Sequence, residues 1–337
     1  MSSNKPIRFK KPLPEVKDLI KGIVSNDIAT LSKAITLIES TKQEHQQLAN
    51  EVIENCLKQK KQAFRIGITG VPGVGKSTFI ERFGKMLTAT GKKIAVLAVD
   101  PTSSKSRGSI LGDKTRMQEL VLDQNAFIRP SPSGDSLGGV TRKTRESIIL
   151  LEAAGYDIII IETVGVGQSE TAVHDMVDFF LLLKLAGAGD QLQGIKRGIM
   201  EMADAIAINK ADGDNIKPAK QAEVEFKRAL HLFPPKENGW TPKVMSCSAL
   251  KDDGLKEIWE MMQNFYDSAQ ISGDFIKNRR LQNKSWLTQH IELILKMDFT
   301  QNPKVKKLLP ILTEKVMEGQ LSPFAAAEDI IREYKNG

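Results

Sequence analysis

Apolar and polar positions change their period twice along this chain. Before residue 62 they follow a helical repeat: Leu31, Ala34, Ile35 and Ile38 fall at i, i+3, i+4 and i+7, after a capping region Ser25-Asn26-Asp27. Between residues 64 and 268, short apolar runs alternate with helical stretches. The runs predict strands at Phe64–Thr69, Lys93–Val99, Ala126–Arg129, Asp157–Glu162, Phe179–Lys184, Ala205–Asn209 and Lys243–Ser246. Ile158-Ile159-Ile160-Ile161 and Phe180-Leu181-Leu182-Leu183 are apolar without interruption, as strands covered on both faces must be. From Phe275 the strand signal ends. Trp286, Leu287, His290, Ile291, Ile294 and Leu295 predict an amphipathic helix, and Ser322-Pro323 caps a last one through Ile330-Ile331. The pattern predicts an α/β fold with a mostly parallel sheet. It divides into a helical segment (1–62), a core (63–270) and a C-terminal helical arm (271–337).

One junction in this pattern carries chemistry. Gly70-Val71-Pro72-Gly73-Val74-Gly75-Lys76-Ser77-Thr78 matches G-x-x-x-x-G-K-[ST], between a predicted strand and a predicted helix starting at Thr78-Phe79-Ile80. Such a loop turns successive N–H groups toward phosphates and sets them at a helix N-terminus. Lys76 supplies a point charge to the β/γ-phosphates, and the Ser77 hydroxyl can ligate Mg²⁺. The core is therefore read as a P-loop nucleoside triphosphatase.

Composition narrows the class without changing it. The 41% hydrophobic and 26% charged content is that of a globular protein, and no apolar run approaches a membrane span. The N-terminus lacks the apolar stretch of a secretory signal. Two cysteines, Cys56 and Cys247, give neither a disulfide framework nor a metal-ligand spacing. An intracellular, cytoplasmic protein is expected, with no membrane insertion. The net charge of +7 raises nucleic-acid binding as an alternative, but the basic clusters are short and have no aromatic residues among them, so none is expected.

Further motifs follow at strand ends. Asn209-Lys210-Ala211-Asp212 matches N-K-x-D, whose carboxylate accepts from the N1–H and 2-amino group of guanine; adenine leaves it unpaired. Ser246-Cys247-Ser248-Ala249 resembles the small-residue loop that meets guanine O6 through backbone N–H, with Ser248 and Ala249 at the base. Glu162-Thr163-Val164-Gly165 stands where a D-x-x-G switch would, an acid supporting Mg²⁺ and the Gly165 N–H sensing the γ-phosphate. Val166 follows, where Ras-like GTPases carry a water-orienting glutamine, and Gln168 is out of register. Slow intrinsic hydrolysis, completed by a partner or a second subunit, is the expectation. Asp100 and Asp113 are within reach of the Mg²⁺ shell or else serve as helix caps. Arg107, Arg116, Arg142 and Arg145 are candidates for stabilising phosphate charge or for surface pairs.

The motifs GVPGVGKST, VDPTSS, GDKTRM, ETVGVGQSE, GAGDQLQGIKRGIMEMAD and NKADGD, in that order, resemble the MeaB/MMAA/ArgK family, G-protein chaperones of adenosylcobalamin-dependent methylmalonyl-CoA mutase. The resemblance spans roughly residues 60–270. It implies a SIMIBI-class P-loop GTPase that forms a homodimer, uses GTP/GDP and Mg²⁺, and serves loading, protection or rescue of a B12-dependent acyl-CoA mutase. By position it implies Ser77, Asp100, Asp113 and Glu162 as Mg²⁺-site residues, Asn209, Lys210 and Asp212 as guanine readers, and Gly187–Arg197 as a further switch in which Lys196 moves. Two departures fall beside that switch: Gln191 stands where Glu is expected, and Lys184-Leu185-Ala186 replaces a more apolar stretch usually ending in Pro. A competing reading is an ATP-dependent kinase or ATPase of an arginine/ornithine-type transport system, which N-K-x-D disfavours. A metallocofactor-insertion GTPase is disfavoured by four histidines that do not cluster.

Overall fold

The computed structural model of the chain describes residues 13–99, 117–130, 137–163, 169–187 and 197–336. Among the described residues three helices come first: α1 (Val16–Val24), α2 (Ile28–Glu39) and α3 (Gln43–Leu57). The N-cap of α2 is Asp27, whose carboxylate accepts from the Thr30 N–H, and Leu31, Ala34, Ile35 and Ile38 form its buried stripe. Strands and helices then alternate: β1 (Phe64–Gly70), α4 (Lys76–Thr88), β2 (Ile94–Val99), β3 (Ala126–Arg129), α5 (Leu137–Ala154), β4 (Ile158–Thr163) and α6 (Ser169–His174). They continue with β5 (Phe179–Leu185), α7 (Arg197–Met202), β6 (Ala205–Asn209), α8 (Ile216–Leu230), β7 (Lys243–Ser246) and α9 (Leu255–Ser272).

The seven strands of the described residues make one sheet in the order β3-β2-β4-β1-β5-β6-β7, and every pairing among them is parallel. β1 lies at its centre, with Phe64 facing Ile158 of β4 and Ile66 facing Phe179 of β5. One face of the sheet packs Ile66, Ile68, Ile160 and Leu181 against Phe79, Ile80 and Phe83 of α4 and Ile258 and Met262 of α9. The other packs Leu182, Ile206 and Ile208 against Ala219, Ala222 and Phe226 of α8. Coverage on both faces explains the uninterrupted apolar runs.

Three aspartates stitch the entry edge of the sheet. Asp157, Asp178 and Asp204 each immediately precede a strand or stand one residue before it, and accept from the backbone N–H of Lys93, Arg65 and Phe180 respectively, all at 2.8 Å. This is why β2 begins at Ile94 and β4 at Ile158, one residue later than the apolar runs suggest: Lys93 and Asp157 close the edge through a side chain. Nearby, Arg65 donates to both carboxylate oxygens of Glu152 on α5 (3.0 and 2.8 Å), with both side chains at most one-tenth exposed.

The chain divides into two compact units, one ending at Ile276 and the other starting at Lys277. The second contains most of α10 (Asp274–Gln301) with α11 (Pro303–Met317) and α12 (Pro323–Lys335). Its own core gathers Val305, Leu312, Ala326 and Ile330, with Phe299 edge-on to Tyr334. Asn302 caps α11, and Ser322 caps α12 by accepting from Ala325 N–H. α10 runs well beyond the predicted Trp286–Leu295 stripe, and Leu287, Ile291, Ile294 and Leu295 are exposed on it. Among the described residues no helix is long and apolar enough to cross a membrane.

Candidate functional site

The site forms where β1, β4, β5 and β6 end together. β1 runs to Gly70, whose backbone passes so close to Leu183 of β5 that a Cβ would lie 2.7 Å from the Leu183 carbonyl oxygen. The chain then turns through Val71-Pro72-Gly73-Val74 to Gly75, which caps α4 in the left-handed region (φ 94°). Glycine is favoured in that conformation, and a Cβ there would also meet Asn209 Nδ2 at 2.9 Å. Lys76 opens α4 and is largely buried; its Nζ donates to Gly70 O at 2.8 Å, which holds the ammonium inside the loop. Ser77 and Thr78 follow in the first turn, where unpaired N–H groups gather at the positive end of the helix.

The N-K-x-D segment meets this loop from β6. Asn209 is 1% exposed; its Nδ2 donates to Val74 O at 2.9 Å and its Oδ1 accepts from Ala249 N–H at 3.2 Å. Lys210 sits at φ 60°, a left-handed conformation held by Asn215 Nδ2 donating to its carbonyl at 2.6 Å. From there Lys210 Nζ donates to Gly73 O at 2.8 Å. Asn209 and Lys210 thus clamp two consecutive carbonyls of the phosphate loop. Asp212, at the outer end of the segment, accepts from Ser248 Oγ, and Ala211 N–H donates to Cys247 O at 2.9 Å, so the second loop is tied to the first. The Ala249 N–H, expected to face the base, is directed at Asn209. Burial, helped by Asp253, pushes the Cys247 thiol up to about 12 and keeps it protonated.

Glu162, one residue before the end of β4, lies opposite Ile68 of β1 and Ala98 of β2 and is 3% exposed. Next to it Thr163 Oγ1 donates to Thr69 Oγ1 at 2.9 Å, joining the ends of β4 and β1 directly under the loop. Ser77 and Glu162 therefore lie at the same edge of the sheet. Asp100, Asp113, Gly165, Gln191 and Lys196, along with Arg107, Arg116 and Gln168, lie outside the described residues. Arg142 is paired with Glu146 on its own helix at 2.7 Å, and Arg145 is buried, which lowers its guanidinium to about 10. Sequence reasoning missed the Thr69–Thr163 link, the Asn215 brace and the Asn209–Val74 clamp. Only the Asn of N-K-x-D carried any local signal for them.

A central parallel strand ending in a phosphate loop, with an N-K-x-D loop clamped onto it, defines a P-loop GTPase. The profile described as Methylmalonyl Co-A mutase-associated GTPase MeaB matches residues 31–304. The chain is 46% identical over 331 residues to the Methylmalonic aciduria type A homolog, mitochondrial, of Mus musculus, covering 95% of this chain and 80% of that protein. It is 48% identical over 316 residues to a probable GTPase of Mycobacterium tuberculosis, covering 94% of each. Among solved structures, the LAO/AO transport system kinase superposes with a TM-score of 0.77 at 36% identity, covering 96% of this chain and all of that one. The chain belongs to the MeaB family of GTPases.

Proposed function

We propose that this GTPase is a G-protein chaperone of an adenosylcobalamin-dependent acyl-CoA mutase of the methylmalonyl-CoA type, coupling GTP binding and hydrolysis to loading, protection or reactivation of that enzyme. The family match, which runs through both the phosphate loop and the N-K-x-D segment, is the observation that carries the reading. In this reading the loop N–H groups of Gly73–Thr78 and the Lys76 ammonium hold the triphosphate. Asp212, aimed by Ser248, accepts from the guanine edge.

The donors Ser77 and Glu162 are oxygen groups of the kind Mg²⁺ takes, and the buried Glu162 carboxylate fits a place beside a cation. Asp100 and Asp113 would complete the set. When bound, Mg²⁺ neutralises charge on the β- and γ-phosphates. The Gly165 N–H would sense the γ-phosphate, and the segment containing Gln191 and Lys196 would carry that state to the mutase. A homodimer through residues 271–337 is part of the proposal, supported by the exposed apolar side chains of α10.

The test is GTP turnover by the purified protein, alone and with a B12-dependent acyl-CoA mutase, with ATP as control. Slow hydrolysis of GTP alone, accelerated roughly tenfold or more by the mutase, is expected. GTP hydrolysis indifferent to the mutase overturns the partner. Preference for ATP overturns the guanine reading and restores the transport-kinase alternative.

A further inference from the structure

β1 and β4 run side by side until Ile68 meets Glu162, the last register pair between them among the described residues. β1 then continues through Thr69 and Gly70 in register with Leu182 and Leu183 of β5. β4 continues to Thr163 in register with Val99 of β2. The two strands thus stop pairing with each other at the rung where the phosphate loop begins. Across that opening Thr163 Oγ1 donates to Thr69 Oγ1 at 2.9 Å. Thr69 is 2% exposed and Thr163 is fully buried, so removing the donor leaves the acceptor in a dry place.

Each threonine adjoins a residue of the nucleotide site. Gly70, next to Thr69, accepts from Lys76 Nζ at 2.8 Å. Glu162, next to Thr163, is the buried carboxylate at the same sheet edge. Side chains alternate along a strand, so Glu162 shares the α4 face with its register partner Ile68, and Thr163 lies on the opposite face. The hydroxyl bond therefore acts on the backbone that carries Glu162, from behind, and fixes it against the strand that carries the phosphate loop. Groups that orient a metal-holding carboxylate in this way typically change metal affinity by roughly 10–100-fold when lost.

We propose that Thr163 is a positioning residue for the cation site. Its hydroxyl, anchored on Thr69, holds Glu162 in place against the phosphate loop, so that Glu162 and Ser77 can share a divalent cation. The proposal rests on the reading of Ser77 and Glu162 as Mg²⁺ donors, and it stands whichever partner the GTPase serves. Valine has the shape of threonine without the donor, and serine keeps the donor without the methyl group.

The test compares Thr163→Val, Thr163→Ser and Glu162→Gln in the full-length protein. Electron paramagnetic resonance measures Mn²⁺ binding to the GDP complex, and a fluorescent GDP analogue reports nucleotide release in EDTA. Thr163→Val is expected to weaken Mn²⁺ binding by roughly tenfold, with release in EDTA unchanged, and Thr163→Ser to restore it. The double variant Thr69→Val with Thr163→Val strands neither donor nor acceptor; it should show the same Mn²⁺ loss, and it serves if the single variant does not fold. A Glu162→Gln protein with intact Mn²⁺ affinity overturns the Mg²⁺ reading and the proposal with it. If Glu162→Gln weakens Mn²⁺ binding while the Thr163→Val or double variant does not, the proposal alone is overturned. Faster release in EDTA from Thr163→Val, or no rescue by serine, also overturns it, since the bond then serves the packing of the loop and not the cation.

Discussion

Asn209 and Val74 meet across 135 residues of chain, the amide of one donating to the carbonyl of the other at 2.9 Å. The base-reading segment therefore does not merely lie near the phosphate loop; it holds the loop's shape. Lys210 repeats the contact one residue earlier on the loop, at Gly73.

Replacing Asn209 with Ala leaves Val74 O and Ala249 N–H without their shared partner in a dry site. A loss of about 1–3 kcal/mol in unfolding free energy is expected. Titration with a fluorescent GDP analogue and with its GTP counterpart should show both affinities falling together, because the loop and not a single phosphate is disturbed. A selective loss of one nucleotide would count against the clamp.

Asp212→Ala tests base reading separately. Inosine triphosphate keeps the N1–H of GTP and lacks the 2-amino group. The wild type should prefer GTP by about tenfold or more, the worth of one charge-assisted hydrogen bond, and Asp212→Ala should bind both equally and weakly. Competition binding decides it; an intact preference in the variant would remove Asp212 from the guanine site.

Arg65 and Glu152 form a bidentate pair under the entry edge of the sheet, at the end of β1 far from its loop. Glu152→Ala strands a guanidinium in the interior and is expected to cost about 3–5 kcal/mol in chemical denaturation. GDP affinity of the folded variant should be unchanged.

Lys184 is 2% exposed on β5, and burial lowers its ammonium to about 8; it rests over the Phe226 ring, 5.7 Å away. The unfolded chain, with an ordinary lysine near 10.5, binds more protons between those values, so stability rises with pH through that window. Lys184→Met should therefore be more stable than wild type at pH 7, by roughly 1–3 kcal/mol, with the advantage fading toward pH 10.5. Denaturant melts at pH 7 and 10 measure it. A constant difference between the two would place the effect in packing instead.

Leu287, Ile291 and Leu295 lie at four-residue intervals along α10, and all are exposed. If they bury a homodimer interface, replacing all three with Ser should convert a dimer to a monomer in light scattering without unfolding the nucleotide-binding unit. A wild type that is already monomeric at micromolar concentration excludes the interface.

What the chain's pattern reveals and hides follows from how local each interaction is. The strands appear in the sequence to within a residue because a parallel strand buried on both faces must be written as a continuous apolar run, as at Ile158–Ile161. The phosphate loop appears because its glycines answer local backbone needs, as at Gly75. Asn209 appears as part of a motif, yet its acceptor is a backbone carbonyl, which no side chain advertises. The Arg65–Glu152 pair is illegible for a related reason: the two residues stand 87 positions apart, and each alone reads as an ordinary surface charge. α10 shows the opposite failure. Its apolar residues suggest packing, but exposure, rather than periodicity, identifies them as a surface.

The central place of β1 has a consequence for how the molecule is made. β1 is the first strand of the sheet to leave the ribosome, and both of its neighbours, β4 and β5, emerge much later. Until Leu185 has been synthesised the strand beneath the phosphate loop has no flank on one side, and until Ala249 has followed, the Asn209 clamp lacks its second anchor. High affinity for nucleotide is therefore expected to arrive late in translation, since a nascent chain stalled before Ala249 carries the phosphate loop with part of its brace still unmade.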